Sequence, residues 1–151
     1  WIANPERNQI QVFDDHGNTL RNLQGENSNL KEPIGIFCLP SGEYLIGDKS
    51  ESSLKHFDAQ DNLIHEVGKT GLGVDEIYFM AWHPKHGIFG ADYWNNQIVH
   101  FNNKLQVQSI YQKPGRRAGQ LGKVAGLSVF NDQLAVGNFD GGKVQIFDLS
   151  S

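Results

Sequence analysis

The chain has 151 residues, 38% of them hydrophobic, and a formal net charge of −4 at pH 7. This length is typical of a single domain, and the acidic balance argues against a general nucleic-acid binder, which usually carries a basic excess. No apolar run approaches the ~20 residues that a membrane helix requires, and no charged-then-apolar leader precedes Trp1. We therefore expect a cytoplasmic protein without a membrane partner.

A short sequence motif near the start of the chain recurs three times further along it. Residues 9–14 read Gln-Ile-Gln-Val-Phe-Asp, and related motifs end at Asp58, Asn102 and Asp148. The Phe residues of the four motifs follow one another at steps of 44, 44 and 46 residues. A period in this range indicates an array of structural repeats.

A second pair of residues keeps the same spacing. Ala3-Asn4 recurs as Gly47-Asp48, Ala91-Asp92 and Gly137-Asn138, and a turn-rich piece follows each pair. Each repeat therefore predicts two strands joined by a hairpin. The recurring Asn and Asp side chains are expected to cap the turn that follows them.

The strand segments alternate in character. In residues 10–13 the aliphatic side chains occupy every second place and Gln11 lies between them. Such alternation is typical of a strand with two differently covered faces. We expect the aliphatic and Phe side chains to pack against neighbouring repeats.

Taken in order, the repeats predict an all-β propeller of four-stranded antiparallel blades, with about three and a half blades present. The first blade (1–30) lacks its first strand, and the last blade (123–151) lacks its fourth. Two complete blades, 31–76 and 77–122, lie between them. Because closed propellers have about four to eight blades, we expect a fragment of a larger chain, or copies that associate to close a ring.

The second repeat carries the residues of a known pattern. It runs through Pro33-Ile34-Gly35-Ile36, Ser41-Gly42, the strand 44–48 and the strand 53–58. In this order the chain resembles the NHL-repeat family of β-propellers, as found in tripartite-motif NHL proteins. The third repeat departs from the pattern at residues 80–82. A WD40 propeller is the second interpretation, because Phe-Asp stands where Trp-Asp would end the third strand.

The resemblance implies a non-enzymatic recognition module that binds a protein or peptide. In such propellers the turns between second and third strands lie on one face with the loops between blades. Tyr93-Trp94 lies in one of these turns, and Phe139 begins another. Exposed aromatic side chains are effective anchors for peptides or for stacked bases. The alternative for each ring is that it folds down onto its own blade.

The loop 113–123 contains four cations and no acid. Arg side chains bind carboxylate or phosphate in a bidentate way, so this loop supports the protein partner and also an alternative, single-stranded or hairpin RNA. A solvated loop without a ligand is the plain interpretation. The predicted partner-binding residues are Tyr93, Trp94, Lys113, Arg116, Arg117, Lys123 and Phe139.

The remaining reactive side chains predict no catalytic residue, no cofactor and no metal site. His83 and His86 supply two nitrogens three residues apart, whereas zinc sites commonly need at least three protein ligands. His56 and His100 share one repeat position, which indicates a structural role. Cys38 falls on a predicted innermost strand and is expected to be a small buried filler. An enzyme is the third and least favoured hypothesis.

Overall fold

The computed structural model describes residues 1–25, 28–68 and 74–150. The ends of the predicted blades 1–30 and 31–76 therefore lie partly outside the described residues. No helix in the described part of the chain is long and apolar enough to span a bilayer. The strands are β1 (Ile2–Asn4), β2 (Gln9–Phe13), β3 (Thr19–Leu23), β4 (Pro33–Cys38), β5 (Tyr44–Asp48), β6 (Ser53–Phe57), β7 (Leu63–Val67), β8 (Ile77–His83), β9 (Gly87–Asp92), β10 (Gln97–Phe101), β11 (Val107–Gln112), β12 (Val124–Phe130), β13 (Gln133–Asn138) and β14 (Lys143–Asp148).

These strands form four antiparallel sheets in which chain neighbours are also sheet neighbours. The sheets are β1-β2-β3, β4-β5-β6-β7, β8-β9-β10-β11 and β12-β13-β14, and we call them blades 1 to 4. The predicted all-β class and the partial propeller are confirmed, with two complete blades between two that have three strands each.

The blades stand side by side along their inner strands. β4 contacts β8, and β8 contacts β12. Blade 1 has no first strand among the described residues, and its second strand, β1, lies beside β4 instead. This arrangement of short hairpin-linked sheets around one line is the propeller architecture.

In blades 1 to 3, the residue after the repeated Phe closes the turn between the third and fourth strands. Asp58 Oδ1 accepts hydrogen bonds from the backbone N–H groups of Gln60 and Asn62, both at 2.9 Å. The Asn62 side chain donates to Asp58 Oδ2, which holds the pKa of Asp58 below its usual range. We call these turns the Asx turns. They recur at Asp14 and at Asn102. At Asp148, where no fourth strand follows among the described residues, the carboxylate accepts from one backbone donor, Ser150 N–H.

At the second repeated position the predicted cap of the following turn is found at Asp92, which accepts from the N–H of Asn95 at 3.4 Å. Asp92 also accepts from the N–H of Asp75 at 2.9 Å, in the loop that enters its blade, and blades 2 and 4 show this second role. Asp48 accepts from the N–H groups of Lys31 and Glu32, which belong to the loop entering the blade and not to the following turn. Asn138 likewise accepts from the N–H of Gly122 at 2.9 Å. Asn4 forms no cap of its own turn. The side chain, at the end of the second strand, therefore holds the loop that leads into the first strand of the same blade, because buried loop N–H groups need an acceptor.

Three apolar clusters fill the spaces between neighbouring blades. Phe57 packs into the cluster between blades 1 and 2, Phe101 into the next, and both are 1% exposed. Phe147 lies against the third cluster, between blades 3 and 4. The predicted packing of the Phe residues between blades is confirmed for these three.

One repeat position shows which side of a blade faces its successor. Ile10, Leu54 and Ile98 are 0%, 2% and 4% exposed, and each belongs to the cluster shared with the following blade. Val144 occupies the same position in blade 4 and is 69% exposed. Ile146 beside it is 58% exposed. Blade 4 therefore presents an apolar face that no described residue covers.

The prediction that Cys38 is a buried filler is wrong, because Cys38 is exposed. It is the last residue of β4, and burial along this strand decreases towards that end. The chain then turns back through a hydrogen bond between Gly42 N–H and the Leu39 carbonyl, 3.0 Å long. Partial burial of the thiol raises the pKa of Cys38, so the thiol stays protonated at neutral pH.

Candidate binding surface

Backbone hydrogen bonds place each second-to-third strand turn beside the loop that enters the same blade. The N–H of Tyr93 donates to the carbonyl of Glu76 at 3.3 Å, and the N–H of Phe139 donates to that of Lys123 at 2.8 Å. Lys49 N–H makes the corresponding bond in blade 2. These turns and loops form one surface, which we call the loop face.

An aromatic group lies on the loop face of blade 3. Tyr93 packs against Tyr78 with ring centroids 5.5 Å apart and is half-buried. Trp94 stands edge-on to Tyr93 at 5.1 Å and is 54% exposed. Of the two predicted contact residues, Tyr93 therefore folds onto its blade while Trp94 remains available to a partner.

Polar contacts fix the Trp94 ring in place. Its Nε1–H donates to Glu76 Oε2 at 2.9 Å. Burial, together with a hydrogen bond to Glu76, raises the pKa of Tyr78 to about 12. Lys123 Nζ lies 4.9 Å from the Trp94 ring centroid and 5.3 Å from that of Tyr93. Such cation–π contacts contribute roughly 0.5–1 kcal/mol at exposed sites.

The basic loop between blades 3 and 4 has an ordered backbone. Gly115 N–H donates to the carbonyl of Leu121 at 3.0 Å, and Leu121 N–H donates to that of Lys113 at 2.8 Å. Lys143 Nζ, from blade 4, donates to the carbonyls of Arg116 and Arg117, both at 2.6 Å. These contacts hold the loop in one conformation without using either guanidinium.

Three of the four cationic side chains of this loop, all but Lys123, remain exposed. Among the residues that the structure describes, none forms an ion pair or side-chain hydrogen bond with the Lys113, Arg116 or Arg117 head groups. Unpaired cations on a fixed backbone suit a partner that brings carboxylate or phosphate oxygens.

The predicted site residues are partly brought together. Tyr93, Trp94 and Lys123 are in direct contact, and the backbone couples Lys123 to Phe139, whose side chain is 71% exposed. The remaining three cations lie on the same loop as Lys123. Sequence reasoning missed Glu76, which orients Trp94. The sequence does not show that the loop before β8, which contains Glu76, lies beside the turn that contains Trp94.

A buried lysine was also missed. Lys55 is 1% exposed, and its Nζ donates to Asp48 Oδ2 at 3.2 Å, to Glu51 Oε2 at 2.6 Å and to the carbonyl of Asn29. Burial lowers its pKa, but the surrounding carboxylates outweigh burial and raise it. Gln145 shares this repeat position in blade 4 and holds the basic loop between blades 3 and 4 by accepting from Gly119 N–H at 2.7 Å. The lysine therefore anchors an inter-blade loop.

A group of three potential metal ligands lies at the turns between first and second strands. His83, His86 and Asp132 each offer one atom, and these atoms lie within 4.8 Å of one another. The sequence shows the two histidines together but gives no signal that pairs them with Asp132, because Asp132 belongs to the next blade.

Comparison with known proteins identifies the fold. No protein-family model matches the chain, and no curated protein matches it. Among solved structures, the WD40 propeller domain of Doa1 superposes with a TM-score of 0.72 at 12% identity, over 99% of this chain and 46% of that one. A nidogen–laminin complex gives 0.72 at 13% identity, over 98% and 54%.

A catalytically inactive H270A virginiamycin B lyase from Staphylococcus aureus, with quinupristin, is also similar. It gives a TM-score of 0.62 at 13% identity, over 97% of this chain and 50% of that one. The chain thus spans about half the length of the structures it matches. These similarities establish a β-propeller fold and do not single out the NHL repeat among propeller families.

Proposed function

We propose that this chain is a non-enzymatic recognition module of an NHL-type propeller, which binds a protein or peptide through the loop face. One observation carries the proposal: the loop 113–123 has a backbone fixed by hydrogen bonds and exposed, unpaired cations, and its Lys123 contacts the exposed Trp94.

The fixed backbone favours binding because less conformational freedom is lost when the partner docks. Lys143 and Gln145 of blade 4 hold the loop from one side. The Tyr111 hydroxyl donates to the carbonyl of Gly119 from blade 3. The loop is therefore anchored to both blades, and Arg116 and Arg117 project from an ordered platform.

Trp94 supplies apolar contact area against Lys123 of this loop, and Phe139 is joined to Lys123 by a backbone hydrogen bond. Tryptophan and arginine are the side chains most enriched among residues that dominate binding energy. The combination favours a partner segment with an acidic side chain and an apolar or aromatic one. Lys113 and Lys123 extend the positive charge at either end of the loop.

The similar structures support a recognition role. The set includes a propeller solved in a complex between two proteins, nidogen and laminin. It also includes a lyase, so the fold by itself does not decide between recognition and catalysis. The free cations and the exposed aromatic rings are surface features that a recognition role uses directly.

We further propose that the open faces of blades 1 and 4 are covered in the working protein, by remaining blades of a larger chain or by another copy. Ile2 and Leu20 are 54% and 62% exposed on blade 1, and Val144 and Ile146 are comparably exposed on blade 4. Large exposed apolar faces usually mark interfaces.

The test is a selection of peptides from a random display library on the 151-residue chain, followed by anisotropy titrations of the best binder. We expect Arg116→Ala/Arg117→Ala to weaken binding by roughly tenfold or more, and Trp94→Ala to do the same. Lys104→Ala is the matched control, because this exposed lysine lies in the Asx turn at the opposite end of β10 from Trp94.

Failure to enrich a peptide, or enrichment of peptides that bind the double Arg variant as tightly as the unaltered chain, would overturn the proposal. An RNA pool titrated at low and high salt is included as a comparison. Binding of RNA that weakens steeply with salt, without any enriched peptide, would replace the protein partner with a nucleic acid.

A further inference from the structure

The face opposite the loop face brings together two histidines of blade 3 and one aspartate of blade 4. We propose that His83, His86 and Asp132 form a binding site for a first-row divalent transition metal, such as Zn²⁺. Two imidazole nitrogens and one carboxylate oxygen are a donor set that suits these metals. The site is separate from the proposed peptide-binding residues.

The distances between the donor atoms suit one shared ion. His83 Nε2 lies 3.4 Å from Asp132 Oδ1, and His86 Nε2 lies 3.8 Å from the same oxygen. Two ligands of a tetrahedral zinc ion, each about 2.0–2.1 Å from the metal, are about 3.3 Å apart. Small rotations of the side chains would therefore bring the three atoms around one centre.

The two contacts are longer than good hydrogen bonds. An N–H···O bond usually spans about 2.7–3.2 Å. His86 Nε2 is buried and has no hydrogen-bond partner in the described structure. A buried polar nitrogen without a partner is uncommon in folded proteins, and coordination to a metal would satisfy it.

The fold positions all three side chains. His83 is the last residue of β8 and is 7% exposed, and His86 follows in the turn that leads to β9. Asp132 stands in the β12–β13 turn after Asn131, whose φ of 51° lies in the left-handed region. The carbonyl of Asp132 also accepts from Leu149 N–H at 2.7 Å. The ligands thus come from the end of one strand and from two short turns, in two neighbouring sheets.

The hydrogen bonds of His83 determine how a metal would bind. Its Nδ1 accepts from the N–H groups of Lys85 and His86, both at 3.1 Å, so the neutral ring carries its proton on Nε2. Coordination through Nε2 moves that proton to Nδ1, and the two backbone bonds to Nδ1 are lost. Metal binding is therefore expected to change the conformation of the turn at residues 84–86.

The proposed ion would join two blades. Because Asp132 belongs to blade 4 and both histidines belong to blade 3, a ligand that needs all three binds the folded chain and not the unfolded one. Binding should then raise the unfolding temperature. Three protein ligands would leave one position of a tetrahedral ion open to water.

The experiment titrates the full 151-residue chain with Zn²⁺ by calorimetry and with Co²⁺ by visible absorption, which reports tetrahedral coordination. We expect one ion per chain, a higher unfolding temperature and shifted amide resonances at Lys85 and His86. Asp132→Asn and His86→Gln should each weaken Zn²⁺ binding at least tenfold. Asp132 is 53% exposed at its side chain, so its substitution should leave the fold intact.

Two control variants separate this site from other donors. His65→Gln and Cys38→Ser remove exposed donors elsewhere and should leave Zn²⁺ binding unchanged. Absence of saturable binding would overturn the proposal. So would unchanged affinity in Asp132→Asn and His86→Gln, or loss of binding in Cys38→Ser, and the His83–Asp132 contact would then be a long ion pair only.

Discussion

Replacing the residue at one repeat position with alanine, in blade 3 and in blade 4, tests which blade has its face covered by a following blade. Ile98 is 4% exposed and belongs to the cluster that blade 3 shares with blade 4. Replacing a buried Ile or Leu with Ala usually costs about 2–5 kcal/mol, because apolar contacts are lost and a cavity remains. We expect Ile98→Ala to lower the free energy of unfolding by an amount within this range.

The matched variant is Val144→Ala, at the same position of blade 4. Val144 is 69% exposed, and substitutions at such surface positions usually change stability by less than about 0.5 kcal/mol. Urea unfolding followed by tryptophan fluorescence measures both variants. The m-value should stay constant, since neither change alters the surface exposed on unfolding by much.

An equal loss of stability in the two variants would refute the assignment of the open face. It would mean that blade 4 is covered in solution. Repeating the measurement at several protein concentrations identifies the cover, because self-association makes stability depend on concentration and a contact within one chain does not.

Two further predictions concern the packing and the turns. Gly47→Ala should lower the unfolding free energy by at least about 1–3 kcal/mol, because its Cβ would lie 2.1 Å from the Ile77 carbonyl oxygen. Gly137→Ala, whose Cβ would meet nothing closer than 3.8 Å, should cost little in the same urea assay, and equal costs would contradict the packing. The hydrogen bonds that lower the pKa of Asp58 stabilise the fold at pH values above the pKa of an unfolded aspartate, about 3.9. This stabilisation is lost as the pH falls through the pKa that Asp58 has in the folded chain. Asp58→Asn should keep the turn, because Asn102 forms the same turn in blade 3. The free energy of unfolding of this variant, measured between acidic and neutral pH, should depend less on pH than that of the unaltered chain. An unchanged acid dependence would show that this carboxylate is not responsible.

Much of the fold was predictable because a propeller is built from local pairing. Each strand pairs with its neighbour in sequence, so the spacing of the four motifs and the turn residues between them predicted where the strands lie along the chain. The Phe positions followed in the same way, since a side chain that repeats in every blade contacts an equivalent surface in the next one.

The candidate sites depended more on contacts across blades. The sequence marked the cations of the loop at 113–123, but it could not show that Lys143 fixes their backbone. Nor could it show that Tyr93 folds onto Tyr78 while Trp94 stays exposed. Period alone also gave Cys38 the wrong burial, because repeat position does not report where a strand ends relative to its neighbours.

By itself, the sequence determined the number and order of the strands and the grouping of aromatic and basic residues into turns and loops. These properties follow from local hydrogen bonding and from alternation along each strand. Only the tertiary structure brought Asp132 to His83 and His86, assigned Asp48 and Asn138 to the loops that precede them, and left Val144 uncovered. Each of these outcomes depends on how one blade packs against another, which a period along the chain does not contain.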